Sequence, residues 1–209
     1  MCHAGRLAGK RVILSVSGMG KVNAAHAGTR LILEFSPAVI MNIGIGGAYP
    51  SSGLNIGDVA IAEKEIYGDE GVLLKDGFHG IDLIGIPFLK KNRKKYFNEF
   101  SLDTGFVRKV VKALALSPKP LALKAGDFLT VSTCTGTKKR AFELEQRFGA
   151  ICENMEGAAI AHVCTFYGIP MIEMRGISNI VGDRDRSAWN IKLAAENCQM
   201  AALEYIRAI

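Results

Sequence analysis

No apolar run in the 209-residue chain reaches the roughly 20 residues that a membrane-spanning helix needs. The N-terminus also lacks the charged, apolar and small-residue regions of a signal peptide. Paired cysteine motifs are missing. The five cysteines (Cys2, Cys134, Cys152, Cys164 and Cys198) are scattered, with no C-x-x-C and no ligand-like spacing to the four histidines. That pattern argues against a zinc site or a disulfide frame and for reduced thiols in a cytoplasm. The net charge of +6 is modest, and its basic clusters at residues 90–95 and 138–140 lack interleaved aromatics or a reader motif. They read as solvated faces rather than a nucleic-acid surface, and they leave an acidic small substrate possible. There is no internal repeat, linker or low-complexity segment. What remains is an ordinary globular composition, 49% hydrophobic and 22% charged, in a chain long enough for one sizeable core and short for two.

Residues 11–17 form a β-rich run ending in Gly18-Met19-Gly20-Lys21, and residues 22–35 read as an amphipathic helix closed by Ser36-Pro37. The glycine turn falls short of a nucleotide P-loop, because the glycines are too close and Val22, not Ser or Thr, follows the lysine. It supports a strand-to-helix turn with backbone N–H groups near a ligand. Residues 38–43 form an apolar strand running into Gly44-Ile45-Gly46-Gly47-Ala48, which reads as a glycine turn. A dinucleotide fingerprint would have to open a helix, whereas Tyr49-Pro50-Ser51-Ser52-Gly53 is loop chemistry, so no Rossmann cofactor is expected. The glycines instead let backbone approach a ligand closely.

Residues 57–62 and 63–67 suggest paired strands, and residues 68–102 a loop-rich surface excursion. Asp103 is the predicted N-cap of a helix to about residue 116, with Pro118 and Pro120 behind it. A strand over 121–132, a polar turn over 133–137, a helix over 138–148, a short strand over 150–152 and a C-terminal helix over 187–209 complete the pattern. Strands alternating with helices predict a single-domain α/β fold with a largely parallel or mixed sheet.

The chemistry concentrates in Asn154-Met155-Glu156-Gly157-Ala158-Ala159 and Arg175-Gly176-Ile177-Ser178-Asn179. The apolar run 158–167 has no internal Pro or Gly and reads as a buried helix, stopped by Gly168-Ile169-Pro170. Residues 171–175 then read as a short buried strand. An acid opens the helix, and an arginine and an asparagine follow at the next strand end. In α/β folds both places face the ligand crevice.

These two motifs, with Gly44-Ile45-Gly46-Gly47 and Leu54-Asn55-Ile56-Gly57-Asp58-Val59, resemble the purine nucleoside phosphorylase/nucleosidase superfamily. Asp76-Gly77-Phe78, Thr130-Val131-Ser132, the 175–179 motif and Val181-Gly182-Asp183-Arg184-Asp185 are similar to its futalosine hydrolase family, nucleosidases of an alternative menaquinone pathway. The resemblance runs from about Val12 to the C-terminus. It implies a three-layer α/β/α domain over residues 1–209, no cofactor or metal, and a purine nucleoside substrate. It also implies a homo-oligomer, a dimer first, in which a neighbour caps the site.

By this resemblance Glu156 binds the ribose hydroxyls, Met155 packs under the sugar and Arg175 helps hold the attacking water. The alternatives are a first-turn acid favoured by the helix dipole for Glu156, and for Arg175 a structural pairing with Glu173 or Asp183. Cys134 and Thr135 fall at base-lining positions, with a turn free of ligand contact as the alternative, and Ser178, Ile45 and Gly46 complete the expected binding set. Phe78, Arg184 and Arg186 are candidates to meet an acidic tail. His162, in mid-helix, reads as core. Asn179 stands where adenine-releasing relatives carry Asp. An amide donates N–H but is no Brønsted acid, and it suits the N7 and O6 acceptors of a 6-oxopurine, where an ionised Asp would repel O6. An asparagine satisfying local backbone is the alternative. Ile45 makes the glycine segment apolar where phosphorylases hold phosphate, which favours hydrolysis over phosphorolysis of inosine or guanosine. The resemblance also implies a strand and a water-activating glutamate ahead of residue 1; the chain offers no glutamate before Glu34. A longer reading frame would restore the general base, and without it a nucleoside-binding protein is the expectation.

Overall fold

In the computed structural model, residues 2–115 and 121–209 are described. The elements are β1 (Cys2–Leu7), β2 (Lys10–Ser15), α1 (Lys21–Phe35), β3 (Ile40–Ala48), β4 (Val59–Tyr67), β5 (Gly71–Leu74), β6 (Gly77–Gly80), β7 (Leu89–Lys91), β8 (Lys94–Tyr96), β9 (Glu99–Ser101), α2 (Thr104–Ala115), β10 (Leu123–Thr130), α3 (Lys138–Phe148), β11 (Cys152–Asn154), α4 (Gly157–Tyr167), β12 (Met171–Ile180) and α5 (Ile191–Ala208). The predicted Pro118 and Pro120 helix stop lies outside the described residues.

A six-stranded mixed sheet in the order β10-β11-β3-β12-β4-β9 forms the centre, as the sequence pattern predicts. β12 runs parallel to β3 and antiparallel to β4. β10 pairs in parallel with both β11 and β4, so the sheet curls round and closes on itself. Helices cover it because the strands are apolar on both faces. On one side α1 lies against α4, with Ala24, Ile32, Ala158, Ala161 and Cys164 in one apolar cluster. On the other, Val107, Val110 and Leu114 of α2 meet Cys198, Ala201 and Tyr205 of α5 over Val59, Ile61, Ile172 and Met174. A third cluster seats Ala141 and Leu144 of α3 against Tyr49, Ile66 and Leu129. Each large apolar side chain buried this way contributes about 1.5–3 kcal/mol.

Five sequence expectations need correction. The Gly44–Gly47 segment is not a turn but the second half of β3, paired through to Ala48 with β12. Its glycines admit neighbours rather than bend the chain: a Cβ at Gly44 would stand 2.7 Å from the Arg175 guanidinium, and one at Gly46 2.5 Å from Cys152 Sγ. The expected strand pair over 57–67 is one strand, β4, whose polar middle is tied down by Lys64 ion pairs to Glu99 and Asp127, each at 3.0 Å. The 68–102 excursion carries two hairpins and the edge strand β9. One of them turns at Asn92-Arg93, both at positive φ, which lets two basic strands pair without a glycine. Finally, β12 does not stop at Arg175 but runs to Ile180, and β11 begins at Cys152 because the αL cap at Gly149 and the residues after it form the connection.

Candidate active site

Glu156 is the N-cap of α4, and its backbone N–H donates to Asn154 Oδ1 at 2.9 Å. Its carboxylate is caught between two elements far apart in sequence. Oε1 accepts from the Gly20 N–H at 2.9 Å, and Oε2 from Arg175 Nη1 at 3.1 Å. Gly20 caps α1 at φ 94°, so the carboxylate lies at a helix N-terminus, where unpaired N–H groups favour negative charge. The Gly-Met-Gly-Lys turn therefore does bring a backbone N–H to the site.

Arg175 is in mid-strand and 4% exposed. Its Nε donates to Glu173 Oε1 at 2.8 Å and its Nη1 also reaches the Ile45 carbonyl at 3.3 Å. Burial alone would lower its pKa, but the charges of Glu173 and Glu156 outweigh that and raise it above the ordinary arginine value. The structural pairing with Glu173 is present, and the opposite edge of the guanidinium reaches Glu156. Asp183 is instead 3.5 Å from Lys138.

The turn after β10 forms the next wall. Glu153, buried, takes the Thr135 N–H at 3.0 Å, the Thr135 hydroxyl at 2.5 Å and the Tyr49 hydroxyl at 3.0 Å. Thr135 is therefore the anchor of the turn, its side chain committed to Glu153. Cys134 is the member left half-buried, with Sγ 3.1 Å from Met155 Sδ. Ile45 is half-buried on the adjoining strand.

β12 carries a bulge between Ile177 and Asn179, where its register against β3 shifts. A bulge re-aims side chains. Here Ser178 Oγ turns inward, 3.2 Å from the Gly46 carbonyl, and donates to Asn179 Oδ1 at 2.8 Å. Asn179 Nδ2 makes one long bond among the described residues, 3.3 Å to the Ile180 carbonyl, and its second N–H takes no partner from them. The bulge stays open because the Ser178 carbonyl accepts from Asn190, the N-cap of α5, at 2.9 Å.

Glu156, Arg175, Met155, Cys134, Ile45, Gly46, Ser178 and Asn179 are thus linked by β3, β12 and the β10 and β11 ends. Phe78 is occupied elsewhere, its ring packed on Phe148 and under Arg147, at a cavity of about 680 Å³ that also takes in Lys94 and Lys95. Arg184 lies over Trp189. His162 is half-buried, its ring stacked on Phe100 at 4.6 Å, and burial lowers its pKa. Sequence reasoning missed Glu65 and Glu153, because buried acids carry no local pattern; it named Gly20 only within a glycine turn and Glu173 only as a partner for Arg175.

The Phosphorylase superfamily family model matches residues 2–207. The chain is 35% identical over 188 residues to futalosine hydrolase of Thermus thermophilus, covering 90% of this chain and 78% of that protein. It is 30% identical over 210 residues to the 5′-methylthioadenosine/S-adenosylhomocysteine nucleosidase of Oceanobacillus iheyensis, covering 99% of this chain and 86% of that one. Among solved structures, the 5′-methylthioadenosine/S-adenosylhomocysteine nucleosidase of Neisseria meningitidis with methylthio-immucillin-A superposes at TM-score 0.84, 25% identity, over 100% of this chain and 86% of that one. Helicobacter pylori futalosine hydrolase, 20% identical, shares the fold at TM-score 0.83 over 100% of this chain and 84% of that one. The relatives are nucleosidases, which weighs against a purely binding role. With the motifs, the fold and these matches in agreement, the chain belongs to the phosphorylase superfamily and, within it, to the nucleosidases, hydrolases of N-glycosyl bonds.

Proposed function

We propose that the chain hydrolyses the N-ribosidic bond of a 6-oxopurine nucleoside of the futalosine type and releases hypoxanthine. The observation that carries this reading is Asn179 at the β12 bulge, its amide oxygen taken by Ser178 and an N–H left for a purine acceptor. The base leaves with the bonding pair of the C1′–N9 bond, water oxygen bonds to C1′, and the water's proton ends on the base. Glu156 accepts from the vicinal ribose hydroxyls, and its charge favours the cationic sugar as the bond stretches. Asn179 donates to N7 or O6 and stabilises the departing purine, whereas an ionised acid there would repel O6. The similarity to the Thermus futalosine hydrolase supports the same substrate, and the similarity to the methylthioadenosine-cleaving relatives supplies the competing one. Aliphatic Ile45 on β3 favours water over phosphate as the acceptor.

Liquid chromatography of released base tests this, with futalosine, inosine and methylthioadenosine each incubated with and without phosphate. Phosphate-independent hypoxanthine from futalosine is expected. Adenine from methylthioadenosine would overturn the Asn179 argument, and phosphate-dependent hypoxanthine from inosine would move the chain to phosphorolysis.

A further inference from the structure

The most deeply buried charges lie behind the site. Glu65 of β4 and Glu173 of β12 expose no surface at all. Glu65 Oε1 accepts from Asn154 Nδ2 at 2.8 Å and Oε2 from the Thr130 hydroxyl at 2.7 Å. Glu173 Oε1 accepts from Asn42 Nδ2 at 3.0 Å and from Arg175 Nε at 2.8 Å. Glu173 Oε2, equally buried, has no hydrogen-bond partner. The carboxyl groups meet over Gly157: a Cβ there would stand 1.9 Å from Glu65 Oε1 and 2.5 Å from Glu173 Oε2. Two ionised carboxylates facing each other without water would repel strongly, and an acceptor left unpaired in the interior is costly. One proton between them removes both penalties.

We propose that Glu65 and Glu173 share a single proton between Glu65 Oε1 and Glu173 Oε2, and that this singly charged pair is the positioning device for Arg175 and, through it, for Glu156. Glu173 then holds one edge of the guanidinium while the other edge holds Glu156. The inference rests on the reading of Glu156 as the ribose-holding acid. Burial, and after it the Glu173 charge, push the Glu65 carboxyl well above the usual range, in the direction that keeps a proton in the pair. The other titratable groups around the pair do not compete for it. Burial pushes up the Cys152 and Cys198 thiols and brings Cys164 to about 12. Burial likewise raises the Tyr67 hydroxyl. Glu153 is committed to Tyr49 and Thr135, and Glu156 to Gly20 and Arg175.

The test compares the full chain with Glu65→Gln and Glu65→Leu, each checked for native circular dichroism. Infrared spectra at neutral pH report the carbonyl stretch of a buried neutral carboxylic acid. Profiles of kcat/KM for futalosine against pH, and nucleoside affinity by calorimetry, report the positioning. The wild type is expected to show the carbonyl band, and both variants to lack it. Its kcat/KM and affinity should fall on an alkaline limb as the shared proton leaves. Glu65→Gln should lose that limb, since its amide donates to Glu173 Oε2 at every pH, giving up the bond from Asn154 Nδ2. Glu65→Leu leaves that oxygen unpaired and should be about 10-fold or more less active than Glu65→Gln. No band in the wild type, an alkaline limb unchanged in Glu65→Gln, or equal activity of the two variants would overturn the proposal. A band with alkaline loss of affinity but no nucleoside cleaved would uphold the pair and overturn the assigned reaction.

Discussion

Replacing Gly157 with alanine adds one methyl group where the fold has no room for it. The new Cβ would lie 1.9 Å from Glu65 Oε1, 2.4 Å from Glu65 Cδ and 2.5 Å from Glu173 Oε2. Neither carboxyl can retreat, because both are fully buried and already bonded on their far sides to Asn154, Thr130, Asn42 and Arg175. Overpacking of this kind costs about 1–3 kcal/mol. Breaking a buried carboxyl away from its donors costs about 1–3 kcal/mol more. Alanine returns about 1 kcal/mol of helix propensity. The net expectation is a loss of about 3 kcal/mol, or a Tm lower by about 6–12 °C in a domain of this size. Gly28→Ala in α1 is the control. Its Cβ would meet the terminal Ile160 Cδ1 at 3.2 Å, which a small side-chain rotation relieves, and Val163 Cγ1 at an ordinary 3.7 Å. That variant should stay within about 1 kcal/mol of the wild type, since the gain in helix propensity offsets the contact. Thermal unfolding by far-UV circular dichroism, with urea midpoints alongside, measures both. A Gly157→Ala protein melting within about 2 °C of the wild type, a shift worth about 1 kcal/mol or less, would refute the crowding of the two acids against α4.

Asn179→Asp should lower hypoxanthine release relative to adenine release by roughly 10- to 100-fold, the worth of one or two hydrogen bonds, in competition assays with paired 6-oxo and 6-amino nucleosides. On the proposed reading Glu156→Gln removes the charge from the acceptor of two ribose hydroxyls, so kcat/KM should fall by about 10²–10⁴, at about 1.5–3 kcal/mol per charged hydrogen bond; steady-state kinetics decides it. Asp69 supplies a pH prediction. Burial would raise its carboxyl, but bonds from Lys21 and the Ser132 N–H prevail and hold it below the usual range. Its stabilisation is therefore present above the unfolded carboxylate pKa and lost as pH falls through the lower folded value. Asp69→Asn should flatten the fall of Tm across that acidic window, and an unchanged slope would refute the tie.

The buried helix 157–167 and the acid at its start were legible because an unbroken apolar run bounded by Glu156 and Gly168 admits one economical reading. The α1 amphipathic pattern was legible for the same reason, with Ala24, Gly28 and Ile32 on its buried face. The course of β3 through Gly44-Ile45-Gly46-Gly47 was not. Four residues of turn-like chemistry are held extended by partners in β12 and β11, a tertiary effect that no local window contains. Glu65 was hidden for a related reason. Charged residues are rarely fully buried, and only the convergence of β4, β12 and α4 supplies the partners of Glu65 and Glu173. Asn179 was legible by chemistry and position. The bulge that aims it was not, since it depends on Asn190 of a later element.

The closure of the sheet through β10 has a consequence for how the chain reaches this state. β10 joins β4 only after the whole of residues 68–122 has been laid between them, and β3 joins β12 across most of the chain. Pairings of such sequence separation must cross a large loop-closure barrier before any contact rewards it, so folding should be slow for the chain's size. The same closure leaves β10 with no free side, and the described sheet ends at β9, three residues long. A slow assembly thus finishes in a central sheet whose described strands leave little open edge for a stray chain to add to, while the exposed β1–β2 ribbon stays outside it.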